Sequence, residues 1–317
     1  MTNAYRAHLH SVALCAILIA AFVAPPARAT GINLPPKAMQ ALDKIYSGDP
    51  DAAITLANEM EAAQPDQPLG YLIESEAKWW KRYCPACEIK YGILEAWKKT
   101  KDPEDAAYLA LTGKVTSLAE AQLAKSDTAE MHTLAGLGWA LQVRVYGIRG
   151  ENRAAAHAGV SARTEMLTAL KLDPEMADAT AALGIYNYYV DTLSPIVKLL
   201  RIFMGIPGGD KQLGIKQMET GMNKGSFLAV DIRFILARSL RTYDQKYEEA
   251  LSDAEPLVAR YPGNPIFMLL LGNLNAELGR NVKASEYFHA VQNTSIPDSP
   301  CANRMRELAN SFLASLH

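Results

Sequence analysis

Apolar residues along the chain recur in pairs of helix-length segments, each pair interrupted by glycine or closed by proline. The clearest pair covers residues 265 to about 298, where one apolar segment ends at Gly279 and a second one follows it. Alanine, leucine and methionine are plentiful, whereas runs of valine, isoleucine and threonine are scarce, and this balance favours helices over strands. The pattern therefore predicts an all-α chain of successive helical hairpins.

The small and aromatic residues of this segment have the spacing of a helical repeat of about 34 residues. Small residues are needed where two helices cross closely, and proline ends the second helix because it cannot continue the backbone hydrogen bonds. The matching positions are Leu271, Gly272, Gly279, Ala284 and Phe288. Further matching units cover residues 231–264 in tandem, residues 34 to about 67, and a unit that contains Leu183-Gly184.

This spacing resembles that of the tetratricopeptide repeat (TPR), and the resemblance implies an α-α superhelix. Residues 183–218 read as a tyrosine-rich helix, an apolar helix, a Gly-x-Pro-Gly-Gly-Asp turn and another helix. Together with Trp79-Trp80 and residues 261–265, they resemble a subgroup of exported bacterial TPR proteins and, more distantly, the inclusion-body-clearance type of TPR protein. The resemblance covers most of the chain and implies no catalytic residues.

We therefore predict one continuous TPR-like solenoid over residues 30–317, with an irregular middle and an apolar insertion at about 192–228. Each pair of helices leaves an apolar face uncovered, so several pairs must stack to form a core. The predicted helices outside the clear repeats cover residues 71–82, 87–99, 105–124 and 129–146, with a C-terminal capping helix at about 302–316.

The first 29 residues form a separate segment. Arg6 precedes an apolar run at residues 12–24, and Ala27-Arg28-Ala29 has the small-x-small pattern of a signal-peptide cleavage site. Because the run is too short to span a bilayer comfortably, we expect a cleaved signal peptide, with an uncleaved anchor as the alternative. The expected mature protein is exported, periplasmic or extracellular, and has no transmembrane segment.

Charge and motif content exclude several functional classes. The chain has 32 basic and 34 acidic residues, a formal net charge of −2, and lacks the basic clusters that nucleic acids require. Neither HExxH nor G-x-S-x-G occurs, and the histidines after the signal segment are isolated. We expect no enzymatic activity, no metal site and no cofactor.

Cys84 and Cys87 form a CxxC motif, which can be a redox dithiol, half of a zinc site or a structural disulfide. A zinc site would need two further ligands at suitable spacing, and a thioredoxin-like dithiol would need a βαβ context. Since an oxidising compartment promotes disulfides, we favour a local Cys84–Cys87 bond that leaves Cys301 unpaired.

Five residues are candidates for contact with a partner, because the first helix of each pair in a TPR array usually lines a concave groove. They are Tyr188, Tyr189, Tyr243, Asn273 and Glu277. Aromatic side chains in such a groove can hold a peptide or helix, whereas the alternative for the tyrosines is packing against the apolar helix at residues 196–204. Of Trp79-Trp80, we expect one tryptophan to be buried and the other partly exposed.

These observations favour a non-catalytic scaffold that binds a protein or peptide partner in the periplasm or cell envelope. Two alternatives stay open: a thiol-redox protein that uses Cys84 and Cys87, and a carrier of apolar ligands whose cavity residues 193–206 would line. The loop at residues 205–210 is interpreted as a turn in which Asp210 caps the next helix, because no strand precedes it and the phosphate-loop pattern is incomplete.

Overall fold

The computed structural model describes residues 31–86, 102–193, 198, 201–202, 205–295 and 300–316. Within these ranges the chain forms thirteen α-helices and one π-helical segment, and no strand. The helices are α1 (Pro36–Tyr46), α2 (Pro50–Ala63), α3 (Pro68–Ala86), α4 (Asp105–Leu123), α5 (Ala129–Arg149), α6 (Asn152–Leu172), α7 (Ala177–Thr192), α8 (Lys211–Lys224), α9 (Ala229–Ser239), α10 (Tyr247–Arg260), α11 (Pro265–Glu277), α12 (Asn281–Gln292) and α13 (Pro300–Ser315), with the π segment at Leu240–Asp244.

Several predictions from the sequence fall outside the described residues. They are the signal segment at residues 1–29, Cys87, the helix at residues 87–99 and most of the apolar helix at residues 196–204. The other predicted helices are present with shifted ends, as α3, α4, α5 and α13. Among the described helices, none has the length and apolar character needed to cross a bilayer.

Successive helices pack against one another as hairpins, which is the arrangement that the repeat predicts. Gly48 and Gly279 close two of the hairpin turns with φ angles of 87° and 71°, a left-handed conformation that favours glycine. Asp210 caps α8, as predicted, by accepting a hydrogen bond of 2.9 Å from the backbone nitrogen of Leu213. The prediction of an all-α, TPR-like superhelix is confirmed.

The Leu-Gly pairs lie where two helices approach most closely. A Cβ atom at Gly272 would lie 2.5–3.1 Å from three ring atoms of Phe288, so the α11–α12 contact depends on the absence of a side chain. At Gly184 a Cβ atom would lie 2.8 Å from the backbone oxygen of Gly214, between α7 and α8. The small and aromatic residues at these spacings therefore lie at direct contacts between two helices.

We expect Gly272→Val to lower the free energy of unfolding by about 1–3 kcal/mol, because the new side chain would overlap the ring of Phe288. The matched control is Gly113→Ala in α4, where an added Cβ atom meets nothing within 4 Å. That change should leave the stability unchanged or raise it by about 0.5–1 kcal/mol. Chemical unfolding measures both, and equal stability of Gly272→Val and the wild type would contradict the predicted packing.

Inner helices contact one another across the centre of the superhelix. The ring of Trp80 in α3 lies 5.2 Å from Phe234 in α9 and 5.9 Å from Phe267 in α11, and Tyr46 of α1 is 5.7 Å away. Trp79 is buried as well, so the expectation that one of the two tryptophans is partly exposed was wrong. Both tryptophans of α3 are enclosed, Trp80 by aromatic rings of α1, α9 and α11, and Trp79 by Tyr83 and the guanidinium of Arg144.

A disulfide joins Cys84, near the end of α3, to Cys301 in the first turn of α13. The two Cα atoms are 5.0 Å apart, although 217 positions separate the residues in sequence. This corrects the expected Cys84–Cys87 bond and the expected unpaired Cys301. The physical reason is that α13 packs back against α3 and carries Cys301 to Cys84, a contact that local spacing does not reveal.

Candidate functional site

The π segment positions most of the candidate binding residues. It continues α9 and ends at Gln245, whose φ of 54° is the one positive value at a non-glycine residue in the described ranges. Side chains of the π segment contact two neighbouring helices. Arg241 contacts α11, while Tyr243 and Asp244 contact α7. π-Helical turns often occur at functional sites. No pattern in the sequence indicated this segment.

Three of the candidate tyrosines form one aromatic cluster. The ring centroids of Tyr188 and Tyr189 are 5.3 Å apart, and Tyr243 lies 6.4 Å and 6.2 Å from them. Tyr188 is 0% exposed and donates a hydrogen bond of 2.8 Å to Asp244, which also forms an ion pair with Lys211. Tyr188 is therefore a packing residue, and only Tyr189 and Tyr243 keep a partly accessible surface.

Burial also fixes the charge state of this cluster. It raises the pKa of Tyr188 and of Tyr189 above the ordinary range for tyrosine. Tyr189 shares a hydrogen bond of 2.8 Å with the hydroxyl of Ser239. Both phenols therefore stay protonated at neutral pH and act as packing and hydrogen-bonding groups.

The other two candidates, Asn273 and Glu277, are organised by Arg241. The guanidinium of this buried arginine donates its Nε hydrogen to Oδ1 of Asn273 and an Nη2 hydrogen to Oε1 of Glu277, the second over 2.8 Å. Burial lowers the pKa of Arg241, and the charge of Glu277 opposes this effect. The sequence placed Asn273 and Glu277 on one face of α11 but did not single out Arg241.

A cavity of about 320 Å³ opens beside Arg241. One side carries polar groups and the other carries Phe288 and Phe312, whose rings stack 5.2 Å apart. The lining residues are Arg241, Asn273, Ala276, Glu277, Asn281, Phe288, Phe312, Ser315 and Leu316. A cavity of this size and mixed character suits a small amphipathic group, such as one or two side chains of a peptide.

A second charged group ties the inner helices together. Arg144 of α5 donates two hydrogen bonds of 3.1 Å to the carboxylate of Glu76 in α3 and one of 2.9 Å to Asp231 in α9. Its guanidinium also lies 5.1 Å from the ring of Trp79. Burial raises the pKa of Glu76 to about 7, against the opposing effect of Arg144. This network joins three helices.

In the described ranges, no cluster of histidine, cysteine and carboxylate side chains could hold a metal ion.

Comparison with known proteins supports the repeat assignment. Residues 229–300 match the family model described as tetratricopeptide repeat. This segment is similar to TPRs. The match begins at α9 and extends past α12, so it includes both tandem units predicted at residues 231–264 and 265–298. A search of curated proteins finds no match for the chain. TPR proteins are generally non-catalytic scaffolds for protein partners. The general class predicted from the sequence, a protein-binding scaffold, agrees with this.

Proposed function

We propose that this protein is a non-catalytic scaffold that binds a protein or peptide partner in the periplasm or cell envelope. The observation that carries the proposal is the TPR segment at residues 229–300. Its π segment and helix α11 supply three polar residues that line the cavity beside Arg241, namely Arg241 itself, Asn273 and Glu277. TPR segments commonly present concave surfaces of this kind to partners.

Two observations support the export part of the proposal. The sequence has the signal-peptide pattern at residues 12–24 and 27–29. The Cys84–Cys301 disulfide suits an oxidising compartment, since reducing conditions in the cytosol disfavour such bonds. The resemblance to exported bacterial TPR proteins favours the same location. The more distant resemblance to the inclusion-body-clearance type of TPR protein favours a non-catalytic scaffold.

The cavity beside Arg241 is our candidate contact site, because two of the five candidate residues, Asn273 and Glu277, line it. Glu277 and Asn281 are exposed at the cavity, while Asn273 and Arg241 are buried within it. A partner peptide can therefore meet hydrogen-bonding groups and the partly exposed ring of Phe312 in the same place. Such combinations give short peptides both affinity and orientation.

The test uses a random-sequence peptide library displayed on phage and selected against the mature protein. Affinities of the selected peptides are then measured by isothermal titration calorimetry. In Ala276→Trp a large ring occupies the cavity wall, and we expect peptide affinity to fall by about tenfold or more. The matched control is Val282→Trp, at a position on α12 that is 78% exposed and does not line the cavity. Failure to select any peptide, or equal binding by Ala276→Trp, would contradict this site.

A further inference from the structure

Two arginines converge on Tyr186 at the junction of α6, α7 and the turn that precedes α8. The guanidinium carbon of Arg163 lies 5.6 Å from the centre of the Tyr186 ring. Nη1 of Arg201 is 3.4 Å from the backbone oxygen of Ile206, and the backbone oxygen of the next residue, Pro207, accepts a hydrogen bond of 2.8 Å from the Tyr186 hydroxyl. The two positive charges and the tyrosine therefore share one small region.

The surroundings of the two arginines provide few hydrogen-bond acceptors in the described ranges. Neither Arg163 nor Arg201 forms an ion pair with a carboxylate in the part of the chain that the structure describes, and the Nε atom of each is buried without a hydrogen-bond acceptor there. The nearby carboxylates are engaged elsewhere, Asp191 with Lys198 and Glu165 with His132. Partly buried guanidinium groups without counter-charges are costly, so a bound anion would stabilise them.

The tyrosine cannot supply the missing charge. Burial raises the pKa of Tyr186, while Arg163 and Arg201 act in the opposite direction without reversing the shift. Its hydroxyl is also committed to Pro207 as a donor. Within the described ranges no group supplies a negative charge to the two arginines, and a carboxylate of a bound molecule would supply it.

The turn and two exposed apolar side chains define the surroundings of the arginines. Gly208 packs directly on Arg201, since a Cβ atom there would lie 3.0 Å from Nη1. Beside the arginines in sequence, Ile202 is 66% exposed and Leu167, one turn along α6 from Arg163, is 40% exposed. Basic groups that have apolar neighbours suit a ligand in which an acidic group lies next to apolar ones.

We propose that Arg163 and Arg201 bind a carboxylate of a partner peptide, an aspartate or glutamate flanked by apolar residues that contact Leu167 and Ile202. Arginine forks match carboxylates geometrically and form strong charge-assisted hydrogen bonds with them. Leu167 and Ile202 are two separate apolar contacts beside the arginines, which suits the individual side chains of a peptide. This inference rests on the proposed scaffold function and uses residues that do not line the cavity beside Arg241.

Fluorescence anisotropy with a labelled peptide of alternating leucine and glutamate tests the assignment. We expect Arg163→Gln and Arg201→Gln each to weaken binding by about tenfold or more, because each removes a charge-assisted contact. The matched control is Arg153→Gln, an exposed arginine on the same helix α6, which should bind like the wild type. The same peptide with glutamine in place of glutamate should not bind, and added salt should weaken the glutamate peptide.

Further variants separate loss of charge from loss of fold. Arg163→Lys keeps the charge and should retain part of the affinity, and Val282→Trp, at an exposed position that lines neither site, should leave this binding unchanged. Equal binding of the glutamate and glutamine peptides, or retained binding in both glutamine variants, would overturn the proposal. Saturable binding of inorganic phosphate at the same arginines without peptide binding would also overturn it, by assigning the site to a free anion. In either case the peptides selected for the cavity still test the scaffold function independently.

Discussion

Replacing Cys301 by serine should lower the free energy of unfolding by about 2–5 kcal/mol, because it removes the Cys84–Cys301 disulfide. The bond spans 217 positions, so its loss gives the unfolded chain much more conformational freedom. It also releases the capping helix α13 from the end of α3. Urea unfolding followed by circular dichroism, with and without a reductant, measures the effect, and the reduced wild type should resemble Cys301→Ser.

The matched control for this experiment is Cys87→Ser. Since Cys84 bonds to Cys301 in the structure, removing Cys87 should leave the stability of the oxidised protein unchanged. The free energy of unfolding of Cys301→Ser should in turn be the same with and without the reductant. If Cys87→Ser were the destabilised variant and Cys301→Ser behaved like the wild type, the local CxxC disulfide predicted from the sequence would be correct after all.

The contrast between these cysteine predictions shows which parts of the fold can be read from the sequence. Gly272 and Phe288 belong to one helical hairpin, and short-range spacing reports the contact between them directly. The Cys84–Cys301 bond depends on how far the superhelix turns before α13 returns to α3. Small angles between many successive helix pairs accumulate to set that turn. A repeat pattern identifies the pairs but not the sum of their angles.

The same limit applies to the candidate site. The repeat register predicted that Asn273 and Glu277 share one face of α11, and both line the cavity beside Arg241. The repeat register did not show which residues pack against the inner helices α9 and α11. The aromatic residues of α3 that do so come from a distant part of the chain. Tyr188 is buried against Tyr243 and Asp244 of the π segment, and Arg241 was missed because that segment has no sequence signal.

Arg144→Ala should destabilise the protein at neutral pH by about 3–5 kcal/mol. The side chains of Glu76 and Asp231 are only 3% and 4% exposed, and Arg144 provides the positive charge between them. Without it, Asp231 loses its buried positive partner, and an ionised Glu76 becomes still more costly to bury in the folded protein. A variant that also carries Glu76→Gln and Asp231→Asn should recover much of the loss, since a neutral network has no uncompensated charge.

The pH dependence of Arg144→Ala gives a second measurement with a defined sign. The pKa of Glu76 is already raised to about 7 with Arg144 present, and removing that positive charge should raise it further. A carboxyl whose pKa is raised by folding stabilises the fold while it is protonated, and that stability is lost as pH rises from the unfolded-state pKa through the folded-state pKa. The deficit of Arg144→Ala in urea unfolding should therefore be smaller at about pH 5 than at about pH 8. A deficit that is the same at both values would mean that Arg144 acts through its packing on Trp79, and that charge compensation between α3, α5 and α9 contributes little to holding the inner helices together.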